Sequence, residues 1–315
     1  MYDSFIMKQS ETPLISVVVP VYGSADVLGE LFERTRETIK SITADFEFIF
    51  VNDASPDHAW DVIKKLKLSD ERIRGINLSR NFGQYPALTA GLQASRGEWI
   101  VVMDCDLQDL PEAIERMYKK AQEGFYVVVG SRQERHDSNF RLFASKSFYS
   151  LLSYTTGRHH DRTLANFGIY HRRVIDAVLS IGDHMRYFSV MVRWVGFRTA
   201  VIPVQHAPRK GGTSGYSFVK LFSLATDIIL AYSEKPLRMI IKLGTLLTFV
   251  AGVYLVFATT NNFDNHFILS SKILVGSLWL IFGLLTMVLG LIALYIGKIF
   301  EEAKKRPIYI VQEEI

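Results

Sequence analysis

The chain has a single cysteine, Cys105, among its 315 residues. One cysteine excludes a disulfide framework, which is typical of a protein in a reducing compartment. The first residues lack a long apolar stretch, so we expect no cleaved signal peptide. Cys105 lies between Asp104 and Asp106, and strand alternation turns it away from both carboxylates, which predicts a small core residue.

A strong net charge is also absent. The formal net charge is only +4, and the basic residues that stand out lie beside apolar segments near the C-terminus. That distribution indicates contact with a membrane surface and gives no reason to expect a nucleic-acid partner.

Two long segments lack charge altogether. Apolar residues make up 49% of the chain, and residues 243–260 and 273–296 contain no charged side chain. Each is long enough to cross a membrane as a helix with its flanking residues, so we predict a two-helix hairpin. Residues 216–233 carry apolar side chains on one helical face, which predicts an amphipathic helix in the membrane interface.

These segments divide the chain into four parts. Residues 1–210 are predicted to form an N-terminal domain, 211–236 a loop with the interfacial helix, 237–300 two transmembrane helices, and 301–315 a tail. Basic residues flank both predicted spans, while the loop between the spans has little basic charge. The positive-inside rule therefore predicts that the N-terminal domain and both termini lie in the cytoplasm.

The stretch that organises the predicted domain is residues 99–109, with the sequence WIVVMDCDLQD. Its apolar part is too short for a helix but fits a buried strand, and it ends in Asp104 and Asp106, two residues apart on one face. Adjacent carboxylates repel each other, and a divalent cation bound to an anionic ligand relieves that repulsion. The pattern predicts a metal-bridged diphosphate site; the alternative is a solvated acidic turn.

Strands alternate with helices along the first part of the chain. Strands are predicted at 14–21, 46–51 and 73–78 before the one at 99–104, with helices at 25–42, 58–68 and 85–94, the first capped by Ser24. This alternation predicts an α/β fold with a doubly wound, mostly parallel sheet. With the strand order 3-2-1-4, ligands bind beyond the carboxyl ends of strands one and four. Around the crevice at those ends, Pro20 and Tyr22 lie at the end of strand one, and Asn52 and Asp53 lie at the end of strand two.

The second half of the domain is less regular. A helix at 111–123 and a fifth strand at 126–129 lead to Gly130, Ser131 and Arg132, and further elements are predicted as strands at 164–170 and 199–205 and a helix at 172–181. His159 and His160 are adjacent and cannot share a face of an extended strand, so we do not assign a metal to them. The flexible loop that begins at Arg209 and Lys210 suits phosphate contact, or is a solvated linker.

Taken in order, these motifs resemble the family-2, GT-A-fold glycosyltransferases that load sugars onto polyprenyl phosphates. The resemblance covers nearly the whole chain and rests on VVVPVY, VNDASPD, SRNFGQYPALTAGL, VVMDCDLQDLPE, GSR, RWVGF, RKGGTSGYS and the two terminal apolar segments. Bacterial undecaprenyl-phosphate glycosyltransferases and dolichyl-phosphate sugar synthases are the types it resembles. It implies a metal-dependent transferase of the bacterial inner membrane, and relatives are often homo-oligomers.

The resemblance also implies roles for individual residues. Asp104 and Asp106 would hold Mg²⁺ or Mn²⁺ on the diphosphate of a nucleotide-sugar donor. The other implied contacts are Pro20, Tyr22 and Asp53, with Asn52 beside them, at the nucleotide; Gln108, Asp109 and Arg132 near the sugar; and Arg209 and Lys210 at the entrance for the lipid phosphate.

The chain departs from the family pattern at one telling position. Many relatives carry an aspartate, proposed as a catalytic base, where this chain has Asn166 in the segment ANFGI. Asn166 cannot take a proton, but a phosphate monoester is already largely a dianion at neutral pH and needs no base. The change is also consistent with a different donor sugar, or with a base role for Asp161.

The expected reaction is inverting transfer of a sugar, from a UDP-sugar for instance, to undecaprenyl or another polyprenyl phosphate. Two alternatives stay open on the sequence: a transferase for another lipid acceptor, and a non-catalytic, membrane-tethered protein that binds nucleotide-sugars. The retained pair Asp104 and Asp106 favours the enzyme.

Overall fold

The computed structural model describes residues 14–132, 164–181, 188–205, 207, 242, 246 and 271–315. The chain forms two compact units. The first comprises Met1–Asp137, Asp161–Gly215 and Pro307–Ile315, and the second comprises Ser138–His160 and Tyr216–Arg306.

The first unit is built on one mixed sheet, in which eight strands follow the order β7-β5-β6-β4-β1-β2-β3-β8. The strands are β1 Ile15–Val21, β2 Phe46–Asn52, β3 Ile73–Leu78, β4 Trp99–Val102, β5 Val127–Arg132, β6 Leu164–His171, β7 Thr199–Val204 and β8 Val311–Glu314. The part β4-β1-β2-β3 is parallel throughout, which confirms the predicted order 3-2-1-4.

Two strands run against this direction. β6 is antiparallel to both β4 and β5, and β8 is antiparallel to β3. Since β5 is parallel to β7, strands β1, β2, β3, β4, β5 and β7 all end at the same edge of the sheet. β6 begins at that edge.

Helices cover both faces of this sheet. They are α1 Leu28–Lys40, preceded by a 3-10 turn at Ala25–Val27, α2 Ala59–Ser69, α3 Gln84–Ala94, α4 Ala113–Ala121, α5 Arg172–Ser180 and α6 Phe188–Val195. Helices α1, α2 and α4 pack into one apolar core and α3, α5 and α6 into the other. Every residue of β1 and β2 is buried, as expected for central strands covered on both faces.

Cys105 belongs to the first apolar core, which confirms its predicted role. Burial raises the pKa of its thiol, against smaller opposing effects of hydrogen bonds with Ser24 and the Tyr22 backbone.

The prediction that Ser24 caps the first helix is wrong, because its side chain makes no capping hydrogen bond. Asp57 accepts the Ala25 N–H instead, at 2.9 Å.

The tail at 301–315, for which we predicted no secondary structure, contributes β8. Ile315 exchanges both backbone hydrogen bonds with Gly75 and packs against the core beside α2. Residues of this tail therefore form β8, the edge strand beside β3.

The described part of the second unit is mainly α7, Ser271–Ala303, a helix of 33 residues. Among the described residues, no helix is found to be long and apolar enough to cross a membrane. The prediction of a first span at 243–260 and of an interfacial helix at 216–233 falls outside the described residues, apart from Leu246.

Candidate active site at the carboxyl edge of the sheet

The sheet topology brings most of the predicted site residues to one edge. β1, β2, β4 and β5 end there, and they carry Pro20 and Tyr22, Asn52 and Asp53, Asp104 and Asp106, and Arg132 respectively. The crevice between β1 and β4 opens at this edge because strand order reverses there.

The two aspartates lie in a turn and not on the strand itself. β4 ends at Val102, earlier than predicted, and Leu107 has a positive φ of 57°. Asp106 is buried, and its Oδ1 accepts the backbone N–H of Gln108 at 3.1 Å. This local bond turns the chain back on itself and fixes the Asp106 carboxylate at the mouth of the crevice.

Gln84 contacts the first of these aspartates. It is the first residue of α3, and its side-chain Nε2 donates to Asp104 Oδ1 at 2.7 Å. Sequence reasoning assigned no role to Gln84. The signal was present, since Gln84 ends a polar turn that follows β3 at the same sheet edge as Asp104.

Asp53 is placed to support that turn. Its side chain is buried, and its two oxygens accept the backbone N–H groups of Phe82 and Gly83 at 2.7 and 2.8 Å. Burial raises the pKa of Asp53, and the two hydrogen bonds oppose that shift. Asp53, which we predicted to contact the nucleotide, therefore also holds the segment before α3 in place through its hydrogen bonds.

A second polar network ties the loops after β1 and β2 together. Ser55 Oγ accepts the Gly23 N–H at 2.7 Å and donates to Asp57 Oδ1 at 2.6 Å. Asp57 also accepts the N–H groups of Ala25 and Ala59. Burial of Asp57 acts to raise its pKa, but these hydrogen bonds outweigh it and lower the pKa below the usual value.

Asn52 and Tyr22 flank this network. Asn52 is buried, and its Nδ2 donates to Asn77 Oδ1 at 2.8 Å across the ends of β2 and β3. Tyr22 is 53% exposed, a large accessible aromatic surface beside the crevice. Pro20 is the second-to-last residue of β1 and pairs with Val51 of β2. An exposed aromatic ring at this edge of the sheet suits stacking against a planar ligand such as a nucleotide base.

The far side of the crevice is lined by the residues after Asp106. Asp109 is buried, and the carbonyl oxygen of Gln108 accepts the backbone N–H of Ala207 at 2.9 Å. Arg132 is the last residue of β5 and pairs with Val204 of β7. The Ala207 to Gln108 hydrogen bond therefore connects the segment after β7 to the turn that carries the aspartates.

Asn166 lies on β6 near its start. The antiparallel register pairs Trp99 with His171 through to Val102 with Gly168, so Asn166 lies beyond the residues of β6 that pair with β4. The register of β5 with β6 shifts between Val129 and Ser131, so Asn166 lies in an irregular stretch of the strand. Such irregularities often occur beside active sites.

Three predicted residues lie outside the described residues, namely Asp161, Arg209 and Lys210. Their roles stay predictions, as does the interpretation of His159 and His160.

The donor set suits a hard divalent cation. Asp104 and Asp106 offer carboxylate oxygens, and Mg²⁺ is commonly held by one or two carboxylates together with substrate phosphates. No group of three or more His, Cys, Asp or Glu side chains that could hold a metal occurs among the described residues. A cation here would thus depend on the two aspartates and on a bound diphosphate.

The comparisons with known proteins show which family the chain belongs to. Residues 16–179 match the model of the family described as glycosyl transferase family 2. The chain is 34% identical over 300 residues to an uncharacterized glycosyltransferase of Bacillus subtilis (strain 168), YkcC, covering 95% of this chain and 93% of that protein. The chain belongs to glycosyl transferase family 2, and it is a glycosyltransferase.

A second relative has a named activity. The undecaprenyl-phosphate 4-deoxy-4-formamido-L-arabinose transferase of Proteus mirabilis (strain HI4320) is 32% identical over 311 residues, which cover 96% of this chain and 94% of that protein.

The fold has a solved counterpart. Glucosyl-3-phosphoglycerate synthase from Mycobacterium tuberculosis, crystallised with Mn²⁺, uridine diphosphate and phosphoglyceric acid, matches 69% of this chain and 76% of its own at 13% identity, with a TM-score of 0.50. This likeness confirms the α/β glycosyltransferase fold.

Proposed function

We propose that the protein transfers a sugar from a nucleotide-sugar to a polyprenyl phosphate, with inversion at the anomeric carbon. The observation that carries this proposal is the pair Asp104 and Asp106 at the mouth of the crevice between β1 and β4. The likeness to the Proteus mirabilis transferase over nearly the whole of both chains supports the polyprenyl phosphate acceptor.

Asp104 and Asp106 would hold Mg²⁺ or Mn²⁺. The bound cation supplies charge neutralisation on the leaving diphosphate. The residues themselves contribute a fixed site, since Asp106 is held by the Gln108 N–H and Asp104 by the Gln84 amide. Pre-positioned carboxylates lose little freedom when the cation binds.

The donor nucleotide would lie over the ends of β1 and β2. The exposed ring of Tyr22 offers an apolar surface just after β1, and the buried residues Pro20, Asn52 and Asp53 lie at the ends of β1 and β2. Gln108 and Asp109 come just after the two aspartates, and Arg132 ends β5. We therefore propose that the sugar lies on that side of the crevice.

The acceptor phosphate would enter through the segment after β7. Ala207 lies against Gln108, and Arg209 and Lys210 follow within three residues. A lipid phosphate that is already a dianion needs orientation more than deprotonation. This accounts for Asn166 at the position where many relatives carry an aspartate.

A membrane anchor would keep the acceptor near this site. The uncharged segments 243–260 and 273–296 support a two-helix hairpin in a bacterial inner membrane, with the catalytic domain and both termini on the cytoplasmic side. Several large apolar side chains of α7 are exposed, including Leu278, Ile281, Phe282 and Leu285. We further propose that the protein is a homo-oligomer, as its relatives often are.

The test is mass spectrometry of the lipid fraction after purified protein is incubated with undecaprenyl phosphate, Mg²⁺ and a panel of nucleotide-sugars. The panel includes UDP-sugars and nucleotide-linked 4-deoxy-4-formamido-L-arabinose. We expect a polyprenyl-phosphate monosaccharide that disappears when a chelator is added. Nucleotide binding without any lipid-linked product from the whole panel would contradict the proposal and favour a nucleotide-sugar-binding protein.

A further inference from the structure

Three hydrogen bonds connect the nucleotide side of the crevice to the metal side. Asp53 accepts from Phe82 and Gly83, and the next residue, Gln84, donates to Asp104 at 2.7 Å. The connection is short, because only one peptide unit separates the Gly83 N–H from the residue that reaches Asp104.

The backbone between these contacts is unusual. Gly83 has φ 102° and ψ 163°, a conformation that residues with a Cβ rarely adopt. Added atoms would have room there, since the nearest neighbour of a Cβ on Gly83 would be Pro86 Cδ at 4.0 Å. Backbone conformation, and not packing, therefore requires glycine. The backbone conformation of Gly83 and the two hydrogen bonds that Asp53 accepts together set where α3 begins and where Gln84 points.

The chemistry of Gln84 suits a support for a metal ligand. Its amide donates a hydrogen bond without carrying charge, so it orients the Asp104 carboxylate and leaves the negative charge that attracts a cation. Lysine or arginine at this position would orient the carboxylate equally well but would cancel that charge.

We propose that Gln84 is a positioning residue of the metal site, which holds the Asp104 carboxylate in the orientation that binds the cation, and that Asp53 and Gly83 fix Gln84 in turn. The inference rests on the proposed function, because it takes the site between Asp104 and Asp106 to bind a divalent cation with a nucleotide diphosphate.

The test uses Gln84→Leu in the full-length protein, since leucine approximates the shape of glutamine and removes the donor. Mn²⁺ affinity is measured by electron paramagnetic resonance in the presence of UDP, and UDP affinity is measured separately with chelator present. We expect Mn²⁺ to bind roughly 10-fold more weakly or worse, while UDP affinity without metal changes less than about twofold.

Gln93→Leu is the matched control, because Gln93 lies near the other end of the same helix and also hydrogen-bonds there, to Tyr309. We expect wild-type Mn²⁺ affinity in this variant. A second variant, Gly83→Ala, keeps every side chain of the site and strains the backbone before Gln84, so we expect it to weaken Mn²⁺ binding as well.

Wild-type Mn²⁺ affinity in Gln84→Leu would overturn the inference, and so would an equal loss in Gln93→Leu. These outcomes leave the proposed function intact. Failure of the wild-type protein to bind Mn²⁺ in the presence of UDP would instead overturn the metal role itself, and the inference with it.

Discussion

The backbone N–H of Ala207 donates to the carbonyl oxygen of Gln108 at 2.9 Å. This bond joins the segment after β7 to the turn that carries Asp104 and Asp106, although about a hundred residues separate them. Arg209 and Lys210 follow Ala207 after Pro208 in the sequence, which supports the proposal that they act at the same site as the aspartates.

This bond leads to a prediction for the acceptor loop. Lys210→Gln should raise the KM for polyprenyl phosphate by about 10-fold, because one charge-assisted phosphate contact is removed, and should leave the KM for the donor unchanged. Steady-state kinetics with each substrate varied in turn measures this split. Lys119→Gln, on the surface of α4, is the control, and an equal rise in both KM values would argue against an acceptor-specific role.

The metal role of Asp104 gives the second prediction. Asp104→Asn keeps the size of the side chain but removes its charge, so turnover should fall by at least about 100-fold and Mn²⁺ binding should be lost. Circular dichroism and thermal unfolding should stay as in the wild type. Activity near the wild-type level would contradict the assignment of Asp104 as a metal ligand.

Asn166 allows a test of whether the reaction needs a base. If the acceptor reacts as a dianion, kcat/KM should rise between pH 5 and 7 with an apparent pKa of about 6, the second pKa of a phosphate monoester. Asn166→Asp should keep that profile and change kcat by less than about 10-fold. A variant with much higher activity and a new, lower apparent pKa would show that a protein base limits the wild-type reaction.

The Asp57 network predicts a dependence of stability on pH. Its pKa is lowered in the folded protein, so the ionised side chain adds stability above its unfolded pKa of about 3.9, and this is lost as the pH falls through the lower folded pKa. Asp57→Asn should therefore cost about 1 kcal/mol at pH 7 and progressively less below pH 4. Urea unfolding across this range measures the difference.

Asp61→Asn, in α2 just after Asp57, is the control, since the Asp61 side chain is 65% exposed and should contribute little at any pH. A cost for Asp57→Asn that stays constant from pH 7 to pH 3 would contradict the network's proposed electrostatic origin.

The sequence predicted the sheet order and the edge that collects the site because both follow from local patterns. Apolar runs of strand length alternate with amphipathic helices, and each run from β1 to β4 ends in polar residues. The links between these ends were not predictable in the same way. Gln84 to Asp104, Asp53 to Gly83 and Ala207 to Gln108 each join distant segments whose spacing depends on loop conformation.

Two other misses have different physical causes. The Ser24 prediction applied a sequence rule for helix caps, but the loop after β2 places Asp57 against the Ala25 N–H, and a carboxylate from another segment takes over the capping role. The antiparallel direction of β6 could not be predicted, because the apolar pattern of a strand is the same for either direction.

The last strand, β8, gives a prediction about stability. It covers the β3 edge, and Glu313 accepts from Trp60 and pairs with Lys64 at 2.9 Å, while Ile315 packs on the core. Removal of residues 311–315 should cost about 2–4 kcal/mol through lost apolar burial and backbone hydrogen bonds. The exposed β3 edge should also promote self-association.

Thermal unfolding and light scattering of the full-length and truncated proteins in detergent test this role. We expect the melting temperature to fall by about 5–10 °C on truncation, with an increase in scattering. The double substitution of Glu313→Gln and Glu314→Gln keeps the strand and removes only partly exposed ion pairs, so it should shift the melting temperature by less than about 3 °C. Equal shifts for truncation and double substitution would mean that the tail stabilises the sheet by its charges alone; equal melting of truncated and full-length protein would contradict any stabilising role of β8.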